Sequence, residues 1–374
     1  MAFQYSANGN GHSPRRRLRI AQVAPLYESV PPKLYGGTER VVAYLTEELV
    51  RRGHQVTLFA SGDSTARAPL ESGSAAALRL TGLDFVGPAL HLPMISRVMG
   101  RAADFDIIHA HLDYWAFPFA RLIDIPIVNT MHGRLDLDVL APVYQYYRDV
   151  SLVSISDAQR KPLPDVNWVG TVYHGLPSDL LKYRSERGRY LAFLGRICPE
   201  KRPDVAIEIA VRSGLPLKIA AKVDRVDREY FAGKIQPLLS HPNVEYIGEI
   251  DEHQKSDFLS DALGLIFPID WPEPFGLTMI EALACGTPVV ARPCGSVPEI
   301  IRDGVTGFIA EGVEDLVRAV HRLPELSRSA CREEFERRFV SSVMAQNYER
   351  IYHQLIKSRR ASAGVREREL NAEA

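Results

Sequence analysis

HGLPSDLLKYRSERGRYLAFLGRICPEK, His174 to Lys201, decides how this chain is read. Its first half, His174–Gly188, is rich in Gly, Pro and charge, the composition of a join. Its second half opens with RYLAFLGR from Arg189, an apolar run of strand length. Upstream lie LRIAQVAP from Leu18, VTLFAS from Val56, DIIHA from Asp106, PIVNTM from Pro126 and SLVSIS from Ser151. The helical stretch GGTERVVAYLTEELVRRGH sits between the first two, with Val41, Val42, Leu45 and Leu49 on one face and Gly53 at its end. Downstream of RYLAFLGR the pattern restarts with PLKIAAK, NVEYIGEI, ALGLIFP and TPVVARP, again separated by helical stretches. These runs are continuously apolar, as strands covered on both faces are. Two successive βαβα series predict an α/β protein of two doubly wound, Rossmann-like domains.

The composition sets outer limits. The chain has 374 residues, 46% hydrophobic and 24% charged, with a formal net charge of -1. That balance belongs to a globular protein and calls for no nucleic acid or acidic membrane as partner. No apolar run reaches the roughly 18–20 residues of a membrane span. The start, MAFQYSANGNGHSPRRRLRI, lacks the apolar core of a secretory signal, so residues 1–17 read as a disordered leader with Arg15–Arg17 solvated. The tail 361–374 is polar and reads as disordered. Cys198, Cys285, Cys294 and Cys331 have no CxxC spacing and suit a reducing cytoplasm, packing as small apolar residues. The location expected is cytoplasmic, with peripheral contact at the inner face of the membrane as the one membrane role open to the chain.

In doubly wound sheets ligands bind beyond the carboxyl ends of the strands, so two such domains place a site in the cleft between them. PEPFGLTMIEALACGTPVV, Pro272–Val290, follows one of those ends. Glu281 stands there among apolar residues, where an unpaired carboxylate would be costly, so either the helix is more exposed than it looks or something meets that carboxylate. The helix begins near Gly276, and free amides at a helix start suit a phosphate. Glu273 lies in the loop before it. Arg196 and Lys201 in LGRICPEK follow a strand and can hold a diphosphate, one by its fork and one as a point charge. Gly36 and Gly37 in LYGGTER let a backbone approach a ligand closely, yet GxGxxG is absent, which disfavours a dehydrogenase. HAHLDY places His109 and His111 in an HxHxD spacing that can mark a metal hydrolase. Tyr114 breaks the usual extension and no second cluster matches, so both read instead as polar residues lining the cleft. His132 in TMHG stands at the same sheet edge. The competing accounts are ordinary salt bridges for the two glutamates, surface charge for Arg196 and Lys201, a flexible loop for Gly36 and Gly37, and a structural role for His132.

Taken together the motifs resemble glycosyltransferase family 4, retaining enzymes of the GT-B fold. The resemblance runs from about Leu18 to Ile356. Its most specific part is EPFGLTMIE, the E-x7-E pattern of Glu273 and Glu281, followed by ALACGTPVVARPCGSVPEII; GGTERVV, TMHG, SIS and LGRICPEKRPD match in the expected order. It implies an acceptor-side domain over 18–176, a donor domain over 177–339 and a C-terminal helix at 340–358 that returns to the first domain. The donor would be a nucleotide-diphosphate sugar, UDP- or GDP-linked, and the acceptor a hydroxyl on a glycan, glycolipid or small metabolite. Arg196 and Lys201 would hold the diphosphate, Glu281 the ribose and Glu273 the sugar hydroxyls. Amides around Phe275, Gly276 and Leu277 would face phosphate and sugar, and Gly36 and Gly37 would close from the other domain. His132 would sit near the reacting carbon or acceptor, with His109, His111 and Ser154 on the acceptor side. No cofactor and no metal are expected. A nucleotide-sugar epimerase or a non-catalytic sugar-nucleotide-binding protein is the alternative.

Overall fold

The protein is seen in a computed structural model that describes residues 16–33 and 36–373. The expected leader falls outside the described residues up to residue 15. Two parallel sheets follow one another along the chain. The first comprises β1 (Arg19–Val23), β2 (Gln55–Ser61), β3 (Leu70–Ser74), β4 (Ile107–Ala110), β5 (Ile127–Thr130), β6 (Leu152–Ser154) and β7 (Trp168–Thr171). The second comprises β8 (Tyr190–Arg196), β9 (Leu217–Lys222), β10 (Val244–Gly248), β11 (Ala262–Phe267), β12 (Val289–Ala291) and β13 (Gly307–Ile309). Their orders are β3-β2-β1-β4-β5-β6-β7 and β10-β9-β8-β11-β12-β13, so each sheet winds outward both ways from an early strand.

Helices cover both faces, which is why the inner strands are continuously apolar. The helix Gly37–Arg51 buries Val41, Val42, Leu45 and Leu49 and ends before Gly53, whose φ of +91° suits glycine. The strands missing from the sequence reading are β3, β7 and β13, and all three are sheet edges. Edge strands need less apolar cover: β3 is LESGS and β7 is WVGT, neither with a fully buried residue.

The chain crosses between the sheets twice, at one place. Leu176 N–H donates to the Phe339 carbonyl at 2.9 Å, and Ser341 N–H donates to the Leu176 carbonyl at 2.7 Å. Gly175 beside this crossing is required by space, since a Cβ would stand 2.6 Å from the Val340 carbonyl oxygen. The last helix, Ser341–Glu373, then returns to the first sheet. Met344, Ala345, Tyr348, Ile351, Tyr352 and Ile356 enter that core at spacings of three and four. Through the tail from 361 the backbone continues this helix to Glu373. ASAGVREREL is polar but contains Ala, Arg, Glu and Leu, all good helix formers.

Candidate functional site

A cavity of about 350 Å³ opens between the two sheets, at the carboxyl ends of their strands. Its second-domain wall holds Arg196, Lys201, Glu273, Phe275, Gly276, Leu277 and Glu281. Its first-domain wall includes Gly36, Gly37 and His132. Ten residues singled out in the sequence therefore stand around one space.

Glu281 is 1% exposed and meets partners from both domains. Its Oε1 accepts from Lys255 Nζ at 2.8 Å and from Arg40 Nη1 at 3.1 Å. Oε2 has no hydrogen bond from the described residues. Burial works to raise this carboxyl, yet the two cations outweigh it and hold it below the usual carboxylate range. Glu252 completes the group, 3.2 Å from Lys255 Nζ and 3.3 Å from Arg40 Nη2. Arg40, Lys255 and Glu252 were missed by sequence reasoning. Lys255 and Glu252 sit in EHQKSDFLS, whose polar composition looks solvated. Arg40 stands inside GGTER, and only its spacing of four from Gly36 hints that it shares the loop's side of the helix.

Glu273 forms a second charged centre. Its Oε2 accepts from Trp271 Nε1 at 3.0 Å and pairs with Lys201 Nζ. Lys201 also lies over the Trp271 ring, 5.2 Å from its centroid. Arg196 leaves the end of β8 and pairs with Asp224 at 3.4 Å and Asp227 at 3.5 Å. The helix Leu277–Ala284 presents its amino end to the cavity through Gly276, which has φ of +78°. A Cβ at Gly276 would also meet Met279 Cε at 2.7 Å. Across the cleft, the place a Cβ of residue 37 would take is 3.7 Å from Leu277 Cδ1, so the glycine loop faces the helix start.

His132 is the cavity end of a buried row of rings. Its Nε2 is 2.8 Å from His111 Nδ1, and His174 stacks on it with centroids 5.2 Å apart and planes 19° apart. Burial pushes His109, His111 and His174 well below the usual imidazole range and His132 down to about 3, so all four rings are neutral near pH 7. His174 lines the cavity and was hidden in the sequence because it was read as part of the join. The acceptor-side placements of His109, His111 and Ser154 are corrected. None of them lines the cavity. His109 and Ser154 are fully buried, and Ser154 Oγ is bonded to Thr171 Oγ1 at 2.9 Å. Strand alternation does bring the His109 and His111 rings together, 4.0 Å between centroids, but behind His132. Among the described residues no group of three or more His, Cys, Asp or Glu is arranged to hold a metal ion.

Comparison with known proteins agrees with this geometry. Residues 182–338 match the family described as Glycosyl transferases group 1, and residues 35–163 match Glycosyltransferase Family 4. A phosphatidyl-myo-inositol mannosyltransferase of Mycobacterium leprae is 25% identical, over 91% of this chain and 98% of its own. A D-inositol 3-phosphate glycosyltransferase of Rhodococcus erythropolis is 28% identical, over 79% of this chain and 82% of its own. Among solved structures, AviGT4, a glycosyltransferase involved in avilamycin A biosynthesis, superposes with a TM-score of 0.70 at 22% identity, over 91% of this chain and 98% of that one. Anabaena HepE in complex with UDP and glucose gives a TM-score of 0.68 at 17% identity, over 89% and 98%. With one family matched in each half, two facing parallel sheets and glycosyltransferases as relatives, the chain belongs to glycosyltransferase family 4 and has the GT-B fold.

Proposed function

We propose that the chain moves a sugar from a UDP- or GDP-sugar to an acceptor hydroxyl, with retention of configuration and without a metal ion. The observation that carries this reading is one cavity in which Arg196, Lys201, Glu273, Glu281 and a helix start face Gly36, Gly37 and His132. Two cations and a helix start suit a diphosphate; two carboxylates suit hydroxyls. The complex of HepE with UDP and glucose supports the donor class. Both relatives carry inositol in their names, which makes an inositol-bearing hydroxyl the narrower form of the acceptor reading.

In this reading Glu281 Oε2 accepts from the ribose hydroxyls, while Oε1 keeps its two cations. Glu273 accepts from the sugar hydroxyls, held in place by Lys201 and Trp271. Breaking the sugar–phosphate bond leaves its electron pair on the diphosphate oxygen. Lys201, the amides around Gly276 and Arg196 stabilise that charge as it develops. Arg196 turns from Asp224 and Asp227 towards the phosphate when donor binds. The acceptor attacks on the face the phosphate leaves, and the departing phosphate oxygen takes its proton, so no enzymic nucleophile is needed. Closure of the cleft keeps water from competing. The reaction takes place in the cytoplasm or at the membrane's inner face; among the described residues no helix is long and apolar enough to cross a membrane.

Proton NMR of the product tests the stereochemistry: the donor's anomeric configuration is retained on this account, and an inverted linkage refutes it. Turnover persists in excess EDTA; loss of turnover restored by Mg²⁺ or Mn²⁺ refutes the metal-free part.

A further inference from the structure

Behind His132 runs a hydrogen-bonded chain that the transfer chemistry above does not use. His111 Nε2 lies 2.8 Å from Gln22 Oε1. Gln22 Nε2 lies 3.3 Å from the Tyr352 hydroxyl and 3.4 Å from His109 Nδ1. His109 Nδ1 is in turn 2.7 Å from the Tyr352 hydroxyl, and its Nε2 is 2.7 Å from Thr130 Oγ1. Gln22, His109, Thr130 and Tyr352 are all fully buried, so water does not compete for these bonds. Tyr352 belongs to the C-terminal helix, which thereby reaches the cavity wall through three side chains.

The order of protons follows from the chemistry of each group. The amide nitrogen of Gln22 only donates and faces the Tyr352 hydroxyl and His109; its oxygen only accepts and faces His111. His111 therefore carries its proton on Nε2. A neutral imidazole has one N–H, so His111 Nδ1 accepts, and His132 donates to it from Nε2. His132 Nδ1 is then left as a bare lone pair. It is buried and has no hydrogen-bond partner among the described residues, on a ring that lines the cavity. Second partners of this kind are what fix the tautomer of a functional histidine.

We propose that His111, anchored by Gln22, is a positioning residue that holds His132 in the Nε2–H tautomer, so that His132 Nδ1 offers the cavity an acceptor for a hydroxyl. The chemical consequence is a division of the cavity. The Arg196 and Lys201 side takes phosphate oxygens, which bring no proton at neutral pH. The His132 side takes a group that brings its own proton, a sugar or acceptor hydroxyl. The inference rests on the proposed donor reading only for the identity of that hydroxyl.

The test is nitrogen NMR of the full chain labelled at histidine nitrogens, with His132 assigned by comparison with His132→Gln. The wild type shows His132 protonated on Nε2 and bare on Nδ1; protonation on Nδ1 overturns the proposal. His111→Phe keeps a ring but removes the acceptor, and Gln22→Leu removes the anchor. In both, the His132 nitrogens shift towards a mixture of tautomers, and kcat falls about 10–100-fold while the donor KM stays within about twofold. Gln22→Glu keeps an acceptor towards His111 and restores both signals. A His132 tautomer that ignores His111→Phe and Gln22→Leu refutes the positioning role. Should one variant fold poorly, the other decides, since each breaks the link to His132 at a different residue. If the tautomer follows His111 while His132→Gln turns over normally, the positioning stands and the placement of His132 at the reacting centre falls.

Discussion

Glu281 carries two cations on one oxygen, which is why a charge can stand in an apolar helix; in the proposed reading its other oxygen takes the ribose. The same logic of shared charge governs Arg196, whose partners are acidic and half exposed or less. Arg196→Ala is expected to lower kcat by on the order of 10²–10³-fold, as loss of one stabiliser of a leaving group does; single-turnover rates check this, and an unchanged rate removes Arg196 from the chemistry. Glu39 is a different case, buried beside the glycine loop with its carboxyl pushed up to about 7, burial being the first cause. The native state therefore holds a proton there that the unfolded chain releases near the ordinary carboxylate value. Stability is full below that value and falls by about 3 kcal/mol as the pH rises through 7. Denaturant melts from pH 4.5 to 8 should show the fall, and Glu39→Gln should flatten it. At this scale the sequence was legible where a residue type was out of place, as Glu281 was among Ile, Ala and Leu. It was opaque for Arg40, Lys255 and His174, because a charge on a polar helix or a histidine in a join carries no mark of the partner that the fold brings to it.

The elements repeat this contrast. Inner strands announced themselves by unbroken apolar runs, while β3 and β7 did not, since an edge strand has one neighbour and bears Gly, Ser and Thr without penalty; β13, GFI, is largely buried but only three residues long. The C-terminal helix and its return to the first domain were expected from the family resemblance, but the polar tie that fastens it was not. Glu349 on that helix takes a two-pronged bond from Arg52, at 2.6 and 2.8 Å, and a third contact from His54 at 2.9 Å. Burial opposes its ionisation, but these partners hold the carboxyl down at about 2. Its contribution is thus present above the ordinary value near 4.5 and is lost as the pH falls towards 2. Glu349→Gln should cost about 2–3 kcal/mol at pH 7, with the gap to wild type narrowing below pH 4.5. Thermal melts across that range decide it; a gap that is absent at pH 7 would show that the helix is held by its apolar stripe alone.

The whole molecule brings two sheets together over one cavity, and few polar ties cross it. Arg40 reaches Glu281 and Glu252, Ser156 Oγ donates to the Pro274 carbonyl at 2.6 Å, and Glu299 accepts the amides of Asp157 and Ala158 at 2.8 and 2.6 Å. The two-domain plan was legible because the strand series restarts after Gly188, and the cleft followed from where doubly wound sheets bind ligands; the side chains that tie the domains across it were not, because no local pattern records which residues meet. The account stands on the claim that this shared cavity holds a nucleoside diphosphate with its ribose on Glu281. Thermal shift with UDP, GDP and ADP, on wild type and on a folded Glu281→Gln, tests it most directly. The account predicts that UDP or GDP stabilises the wild type, by about 2.7 kcal/mol at 100 times its Kd, and that the variant loses most of this. No shift with any of the three at millimolar concentration, or an undiminished shift in the variant, would contradict it.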